Sequence, residues 1–359
     1  MSPGLSIYLD LIRFLAALGV LFSHLYLEPF TNRIMWWRLG GYGDACVTIF
    51  FLLSGYVIAF VIASREKTAW SFCVSRFSRL YSVVVVGLLV TLAADAIGVS
   101  LAPDFYANEK VLAKPVSWLG YISSFFFVNE YQVFGFGGIS PGTNGPFWSL
   151  SFEATYYAVA GFWVFLPWGV ALLLSVLLLG FAGKTIIILF PIWLAGYALF
   201  HFRHQFAIRK SIALFVFLAT AYLLLWMGNY LLYFSTDNFG LDLPWGKKPF
   251  NRIILIDYCV ALVFALHLLA AHQLSEHFGV VLIRFQRPIR WLGALTFPLY
   301  CLHYPVLCLL AAISPWVADS WSNYCFVLGG IFLVVIVLTP VCEKIKDALR
   351  LRLVSLKAV

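Results

Sequence analysis

The chain consists of long apolar segments separated by short polar ones. Apolar runs of 17–25 residues cross a bilayer as helices, because every backbone polar group in the hydrocarbon core must be paired within its own segment. We therefore predict an all-α fold, a polytopic integral membrane helical bundle with about ten transmembrane helices. The predicted spans are residues 6–27, 45–63, 79–100, 147–166, 168–183, 184–200, 211–234, 252–273, 291–313 and 322–342.

The boundary between the fifth and sixth spans depends on Gly183 and Lys184 alone. A break there gives two spans, whereas a kink gives one longer helix and reverses the topology of everything that follows. Short cytoplasmic loops are enriched in lysine and arginine. With ten spans and both termini cytoplasmic, the predicted inner segments hold most of the 24 lysines and arginines, which favours this topology.

Composition excludes an ordinary soluble domain. Of the 359 residues, 62% are hydrophobic and 11% charged, whereas globular domains carry roughly 45–50% apolar and about 25% charged residues. The net charge of +8 does not predict nucleic-acid binding, because the basic residues lie in short loops without a contiguous run. The seven cysteines contain no C-x-x-C pair, so we expect buried thiols and neither disulfides nor a metal site.

The pattern predicts one transmembrane domain over residues 1–343 and a short basic cytoplasmic tail over 344–359. The first apolar stretch is predicted as a retained span, because charged residues interrupt it and no cleavage pattern follows it. The longest connection, residues 101–146, ends in a segment rich in glycine and proline, 135–146, that is incompatible with a regular helix or strand. Connections of this length usually carry function or are disordered.

Ionisable side chains inside membrane spans are costly and often mark a functional site. The first span contains Asp10, Arg13 and His24. Arg13 and His24 are eleven residues apart in the sequence, so they share one helical face about 16 Å apart along the axis. The topology places Arg13 towards the cytoplasm and His24 towards the outside. Asp10 precedes Arg13 by one turn, and we expect a structural ion pair between them.

Two later spans also contain ionisable groups. Glu153 follows Trp148 and Ser149 by about one turn in the fourth span, in the outer half of the membrane and at a depth similar to that of His24. His303 lies in the ninth span beside Pro305, which frees a backbone carbonyl that the imidazole could bond. For His303, a structural and a functional role remain equally open.

Two arginines, Arg76 and Arg79, lie one turn apart at the cytoplasmic start of the third span. They can bind phosphate groups or only mark the topology, and these alternatives stay open. Two lysines on a predicted outer loop, Lys247 and Lys248, can attract an anionic glycan or act as ordinary solvated surface charge.

At these residues the sequence resembles acyltransferase family 3, membrane enzymes that O-acylate carbohydrates and other acceptors. The sequence departs from the family's pattern at two places. Thr48 precedes the double phenylalanine at a position that is often acidic in the family, and the proline that commonly follows the arginine pair is missing after Tyr81. The matching motifs, in chain order, are Leu9-Asp10 with Arg13 and His24; Phe50-Phe-Leu-Leu-Ser-Gly55; Arg76 and Arg79; Phe147-Trp-Ser-Leu-Ser-Phe-Glu153; and Tyr300-Cys-Leu-His-Tyr-Pro305.

The resemblance implies transfer of an acyl group, most often acetyl, from cytoplasmic acyl-CoA to a hydroxyl at the outer face. On that basis we hypothesise that His24 is the general base and that Glu153 orients or stabilises its imidazole. Arg76 and Arg79 would hold the phosphates of acyl-CoA, with its pantetheine arm passing Arg13. Trp148 and Ser149 would shape the site.

The resemblance further implies a bacterial inner-membrane protein that modifies a surface glycan, such as exopolysaccharide, O-antigen or a lipid-linked saccharide. The acyl group, a covalent intermediate and the oligomeric state stay open. A secondary transporter or flippase is the alternative, because intramembrane Arg, His and Glu also line substrate paths, although no repeated halves are evident. A third interpretation is a membrane scaffold or sensor, and binding of coenzyme A would separate the enzyme from both.

Overall fold

The computed structural model describes residues 1–34, 42–108, 111, 116–134, 137–206, 208–230 and 254–356. Regular structure within these ranges is helical, which confirms the predicted all-α class. The predicted outer-loop residues Lys247 and Lys248 lie outside the described residues. The α-helices are α1 (Pro3–Leu25), α2 (Glu28–Thr31), α3 (Tyr42–Ser64), α4 (Ala69–Leu101), α5 (Pro103–Tyr106), α6 (Trp118–Phe125), α7 (Trp148–Phe165), α8 (Trp168–Ala182), α9 (Lys184–Phe202), α10 (Lys210–Tyr230), α11 (Ile254–Arg284), α12 (Gln286–Ile313) and α13 (Trp321–Ser355).

Each predicted span coincides with a helix over the part of it that the structure describes; residues 231–234 and 252–253 of two spans lie outside the described residues. Within the described ranges, eight helices are long and apolar enough to cross a membrane, namely α1, α3, α4, α9, α10, α11, α12 and α13. The other two predicted spans correspond to α7, with 18 residues, and α8, with 15. At 1.5 Å per residue α8 is about 22 Å long, shorter than the roughly 30 Å hydrocarbon core. The chain is a multi-pass helical membrane protein.

Gly183 separates α8 from α9, as predicted. Its φ of +94° lies in a region that residues with a Cβ rarely adopt. Gln132 secures the break, because its Oε1 accepts a hydrogen bond of 3.1 Å from the backbone nitrogen of Lys184 and its Nε2 donates one of 3.0 Å to Thr185. The two apolar runs are therefore separate helices.

Helices α4 and α13 extend beyond the predicted spans. Helix α4 begins at Ala69, where Thr68 and Ser71 form a reciprocal capping box that satisfies backbone donors of the first turn. Arg76 and Arg79 consequently lie about 10 and 15 Å along the helix, not at its start. Helix α13 continues to Ser355, so most of the predicted tail over residues 344–359 is a helical extension.

The chain divides into two compact units. Unit 1 comprises residues 1–24, 35–63 and 188–296. Within it, buried His267 of α11 pairs with the Tyr8 hydroxyl of α1 and lies 3.0 Å from Thr220 Oγ1 of α10. Thr48 donates a hydrogen bond of 3.1 Å to Asp257 of α11. Thr48 occupies a position that is often acidic in the family that the sequence resembles, and here α11 supplies a carboxylate beside it. These buried polar contacts tie α1, α3 and α10 to α11.

Unit 2 comprises residues 25–34, 64–187 and 297–359. Helix α4 runs through this unit and packs against α13, α7 and the short helices α5 and α6. Asn323 at the start of α13 donates a hydrogen bond of 2.8 Å to the backbone oxygen of Phe30, which fixes the segment containing α2. Within the long connection of residues 101–146, Trp118–Phe125 form α6.

Candidate active site

Helix α1 contains the first candidate pair. Arg13 lies near its middle and His24 in its last turn, and both side chains are half-buried. Because their separation is close to three helical turns, they lie on one face, as the spacing predicts. This helix therefore aligns a guanidinium and an imidazole along one stripe of unit 1.

Asp10 contacts two arginines. Its carboxylate lies 3.9 Å from Arg13 and accepts a hydrogen bond from Arg290 of α12. A Cβ at Gly293 would lie 3.0 Å from the Cβ of Asp10, so this glycine allows α12 to approach α1 closely. The predicted ion pair is present, and Arg290 is a second partner that the spacing within α1 could not reveal.

The motif Phe50–Gly55 packs α3 against α9. A Cβ at Gly55 would approach the carbonyl oxygen of Trp193 to far less than 3.0 Å and lie 2.9 Å from the nitrogen of Tyr197. Gly196 of α9 has the same relation to the backbone of Leu52. The indole nitrogen of Trp193 donates to Ser54 at 3.2 Å. The motif thus permits close backbone packing, as small residues do between membrane helices.

Arg76 is the most deeply enclosed cation of the candidate site, with 8% of its surface exposed. Its Nη2 donates to Glu66 Oε1 and to Ser75 Oγ, each at 2.9 Å. The guanidinium carbon lies 5.6 Å from the ring centre of Phe72 and 5.5 Å from that of Tyr157. Among the described residues, its Nε and Nη1 have no hydrogen-bond partner. A buried guanidinium thus retains unused donors.

Glu153 belongs to the same cluster. Its carboxylate accepts a hydrogen bond from the hydroxyl of Tyr157, one turn later in α7, and that tyrosine carries Arg76 over its ring. Arg79, which lies 5.9 Å from the ring centre of Phe297, is also close enough to act electrostatically on Tyr157. Unit 2 therefore brings Arg76 and Glu153 to the same side chain, Tyr157. The sequence predicts these two groups at different depths, and the difference arises because α4 starts earlier than predicted.

The motif around Trp148 and Ser149 interlocks with the motif of α12. Ser149 Oγ lies 2.7 Å from the hydroxyl of Tyr300, which also donates to the backbone oxygen of Pro146 at 3.2 Å. The indole of Trp148 packs edge-on against Phe152 at 5.0 Å. Ser149 therefore positions the start of α7 on α12, which is a structural contribution to the site.

Pro305 frees the carbonyl of Cys301, but His303 does not bind it. Nδ1 of His303 lies 2.9 Å from the carbonyl oxygens of Leu299 and Tyr300. The freed Cys301 oxygen instead accepts a hydrogen bond of 2.9 Å from Asn144. The carbonyl that Pro305 releases is therefore the anchor for the loop that precedes α7.

Asp95 holds that loop from the other side. Its carboxylate accepts hydrogen bonds from the Thr143 nitrogen at 2.9 Å and hydroxyl at 2.6 Å, and Asn144 donates to Thr91 at 2.9 Å. Gly142 adopts a φ of +56°, and a Cβ there would collide with Asp95. The described part of the predicted irregular segment is thus fixed on α4, directly before the Trp148–Glu153 motif.

Four contributors escaped the sequence reasoning: Glu66, Asp95, Tyr157 and Arg290. Asp95 carried a usable signal, because it is ionisable within an apolar run. Tyr157 follows Glu153 at the i, i+4 spacing of helical neighbours. Glu66 lies between exposed charged residues, and nothing in that pattern predicts burial. Among the described residues, no group of three or more His, Cys, Asp or Glu is arranged to hold a metal ion.

The chain is similar to a known protein family and to a curated protein. The family model described as "Acyltransferase domain" matches residues 6–340. Over 169 residues the chain is 30% identical to the protein named peptidoglycan O-acetyltransferase OatA of Listeria monocytogenes, covering 45% of this chain and 24% of that protein. The match thus spans about a quarter of the length of that curated relative. No solved structure matches the chain.

Proposed function

The chain belongs to the acyltransferase family whose model matches residues 6–340, and from this premise we propose that it transfers an acyl group from acyl-CoA to a glycan hydroxyl. Acetyl is the first candidate, since the relative is named an O-acetyltransferase. The acceptor oxygen would form a bond to the thioester carbonyl carbon while the carbon–sulfur bond breaks. The acceptor loses one proton, and coenzyme A leaves as the thiol after gaining one.

The observation that carries this proposal is the set of buried, unused hydrogen-bond donors on Arg76. Nε and Nη1 are buried without a partner in the described part of the chain, and leaving buried donors unsatisfied is costly. Phosphate oxygens satisfy guanidinium donors by charge-assisted hydrogen bonds. Arg76, with Arg79 one turn later on α4, therefore suits a phosphate-bearing donor such as acyl-CoA.

His24 is proposed as the general base that takes the proton from the acceptor hydroxyl. Imidazole is the side chain whose ordinary pKa is best suited to proton transfer near neutral pH. Arg13 shares its helical face and is proposed to contact the donor between its phosphates and its acyl group. The carboxylate of Glu153 is proposed to balance positive charge as the proton moves.

The acceptor is proposed to be a glycan of the bacterial cell surface, and the location the bacterial inner membrane, where cytoplasmic acyl-CoA can reach a membrane enzyme. The name of the relative adds peptidoglycan to the candidates. Exopolysaccharide, O-antigen and lipid-linked saccharide remain the other acceptors to test.

Binding of coenzyme A to the detergent-purified protein, measured by titration calorimetry, tests the donor assignment. Arg76→Lys keeps a positive charge beside Glu66 but removes the planar donors, so we expect at least tenfold weaker binding. Lys67→Ala removes an exposed charge from the segment just before α4 and serves as the matched control. Equal affinity for Arg76→Lys would contradict the role of Arg76. Absence of binding by the parent protein would favour the transporter or flippase.

A further inference from the structure

Tyr157 connects the two charged groups of the candidate site in unit 2. Its hydroxyl donates a hydrogen bond to the carboxylate of Glu153, and its ring lies 5.5 Å from the guanidinium carbon of Arg76. With 4% of its surface exposed, Tyr157 is enclosed by its neighbours. One side chain therefore contacts a proposed donor-binding cation by its face and a proposed catalytic carboxylate by its edge.

Tyr157 lies between the guanidinium of Arg76 and the carboxylate of Glu153. Opposite charges attract far more strongly in a medium of low dielectric constant than in water, so a buried arginine and carboxylate tend to pair directly. Such a pair would occupy donors of Arg76 and neutralise Glu153. The phenol instead satisfies the carboxylate with a hydrogen bond and the guanidinium with a cation–π contact. Arg76 keeps its Nε and Nη1 without a hydrogen-bond partner among the described residues.

The other contacts of Arg76 also leave its Nε and Nη1 unused. Glu66 and Ser75 accept hydrogen bonds from one nitrogen only, Nη2. Phe72 and Tyr157 both contact the guanidinium as aromatic rings, which fix its position without using its N–H groups. The cluster thus immobilises the cation while its Nε and Nη1 stay without a partner among the described residues.

We propose that Tyr157 is a positioning residue of the acyl-transfer reaction, which holds the Glu153 carboxylate through its hydroxyl and the Arg76 guanidinium through its ring. This inference rests on the proposed function. It separates two effects within one side chain: the hydroxyl acts on turnover through Glu153, and the ring acts on donor binding through Arg76.

Two substitutions at this position separate the effects. Tyr157→Phe keeps the ring and removes the hydroxyl, so kcat should fall about ten- to hundredfold, the range for losing a hydrogen bond to a charged group. The KM for the acyl donor should stay unchanged. Tyr157→Leu removes ring and hydroxyl, so the donor KM should also rise.

Tyr156→Phe is the matched control. The hydroxyl of Tyr156 donates a buried hydrogen bond of 2.7 Å to the backbone oxygen of Ile186, on the same helix but away from the charged cluster. Tyr156→Phe also removes a hydrogen bond from a buried phenol, but one to a backbone carbonyl, so kcat and donor KM should remain those of the parent. Thermal unfolding of each variant verifies that it is folded.

A double substitution tests whether Tyr157 acts through Glu153. In the Glu153→Gln background, Tyr157→Phe should cause little further loss of kcat, because the hydrogen-bonded carboxylate is already gone. Parent-like kcat for Tyr157→Phe, or an equal loss in both backgrounds, would overturn the positioning role. A parent protein that binds no donor and transfers no acyl group would overturn the proposed function itself.

Discussion

The contact between α3 and α9 allows a quantitative prediction for Gly55→Ala. The added methyl would lie 2.9 Å from the nitrogen of Tyr197 and closer still to the carbonyl oxygen of Trp193, where ordinary contacts need at least 3.4 Å. Both atoms belong to the backbone, so no side chain can rotate away. The two helices must therefore separate by on the order of 1 Å, which costs about 3 kcal/mol, the upper part of the range for overpacking.

This separation weakens a well-packed region. Trp193 and Tyr56 are each 1% exposed and belong to this interface. A gap of this size removes a substantial part of the dispersion attraction between facing atoms. We expect Gly55→Ala to lower the melting temperature in detergent by roughly 5 °C or more. Tryptophan fluorescence during heating measures this shift.

Gly329→Ala in α13 is the control, because a Cβ there meets no atom within 4 Å. Alanine stabilises a helix relative to glycine by up to about 1 kcal/mol, so this variant should melt at or slightly above the parent temperature. If Gly55→Ala and Gly329→Ala melt alike, the close packing assigned to the Phe50–Gly55 motif is refuted.

Three further predictions concern the charged and polar groups. Replacing Arg76 and Arg79 together with alanine should mainly raise the donor KM, and an unchanged KM in a steady-state assay would leave them as topology markers. Asn144→Ala should cost about 1–3 kcal/mol of unfolding free energy, because the carbonyl of Cys301 loses its partner; a melting temperature equal to that of the parent would contradict this anchor. Asp10→Asn should cost less than about 1 kcal/mol, since its arginine partner on α12 is 47% exposed, and a large melting shift would show a deeper role.

The helices of this protein follow from simple rules. Long apolar runs must be helical in a bilayer, and the described part of each predicted span is helical. At Gly183, where a glycine beside a charged residue interrupts an otherwise continuous apolar run, the sequence leaves a break or a kink open, and the structure has the break. The spacing of Arg13 and His24 was enough to predict their shared face, since helical periodicity alone places residues eleven apart on one side of a helix.

The contacts between helices could not be predicted in this way. Hydropathy does not mark where α4 begins, because its first turns lie outside the apolar window, so Arg76 was expected at a helix start. The partnership of Arg76, Tyr157 and Glu153 depends on how α4 and α7 are aligned. Pro305 frees the carbonyl of Cys301, but the side chain that donates a hydrogen bond to it, Asn144, comes from a loop distant in sequence.

The cytoplasmic placement of both termini and the roles of His24 and Glu153 remain predictions. One measurement tests the central claim most directly. Purified parent protein and His24→Ala are given radiolabelled acetyl-CoA with peptidoglycan fragments, lipid-linked saccharides and soluble glycans. The account predicts label on a glycan with the parent and none with His24→Ala, although that variant remains folded and binds coenzyme A. Equal transfer by both would contradict the assignment of the base, and no transfer by the parent to any acceptor would contradict the proposed reaction.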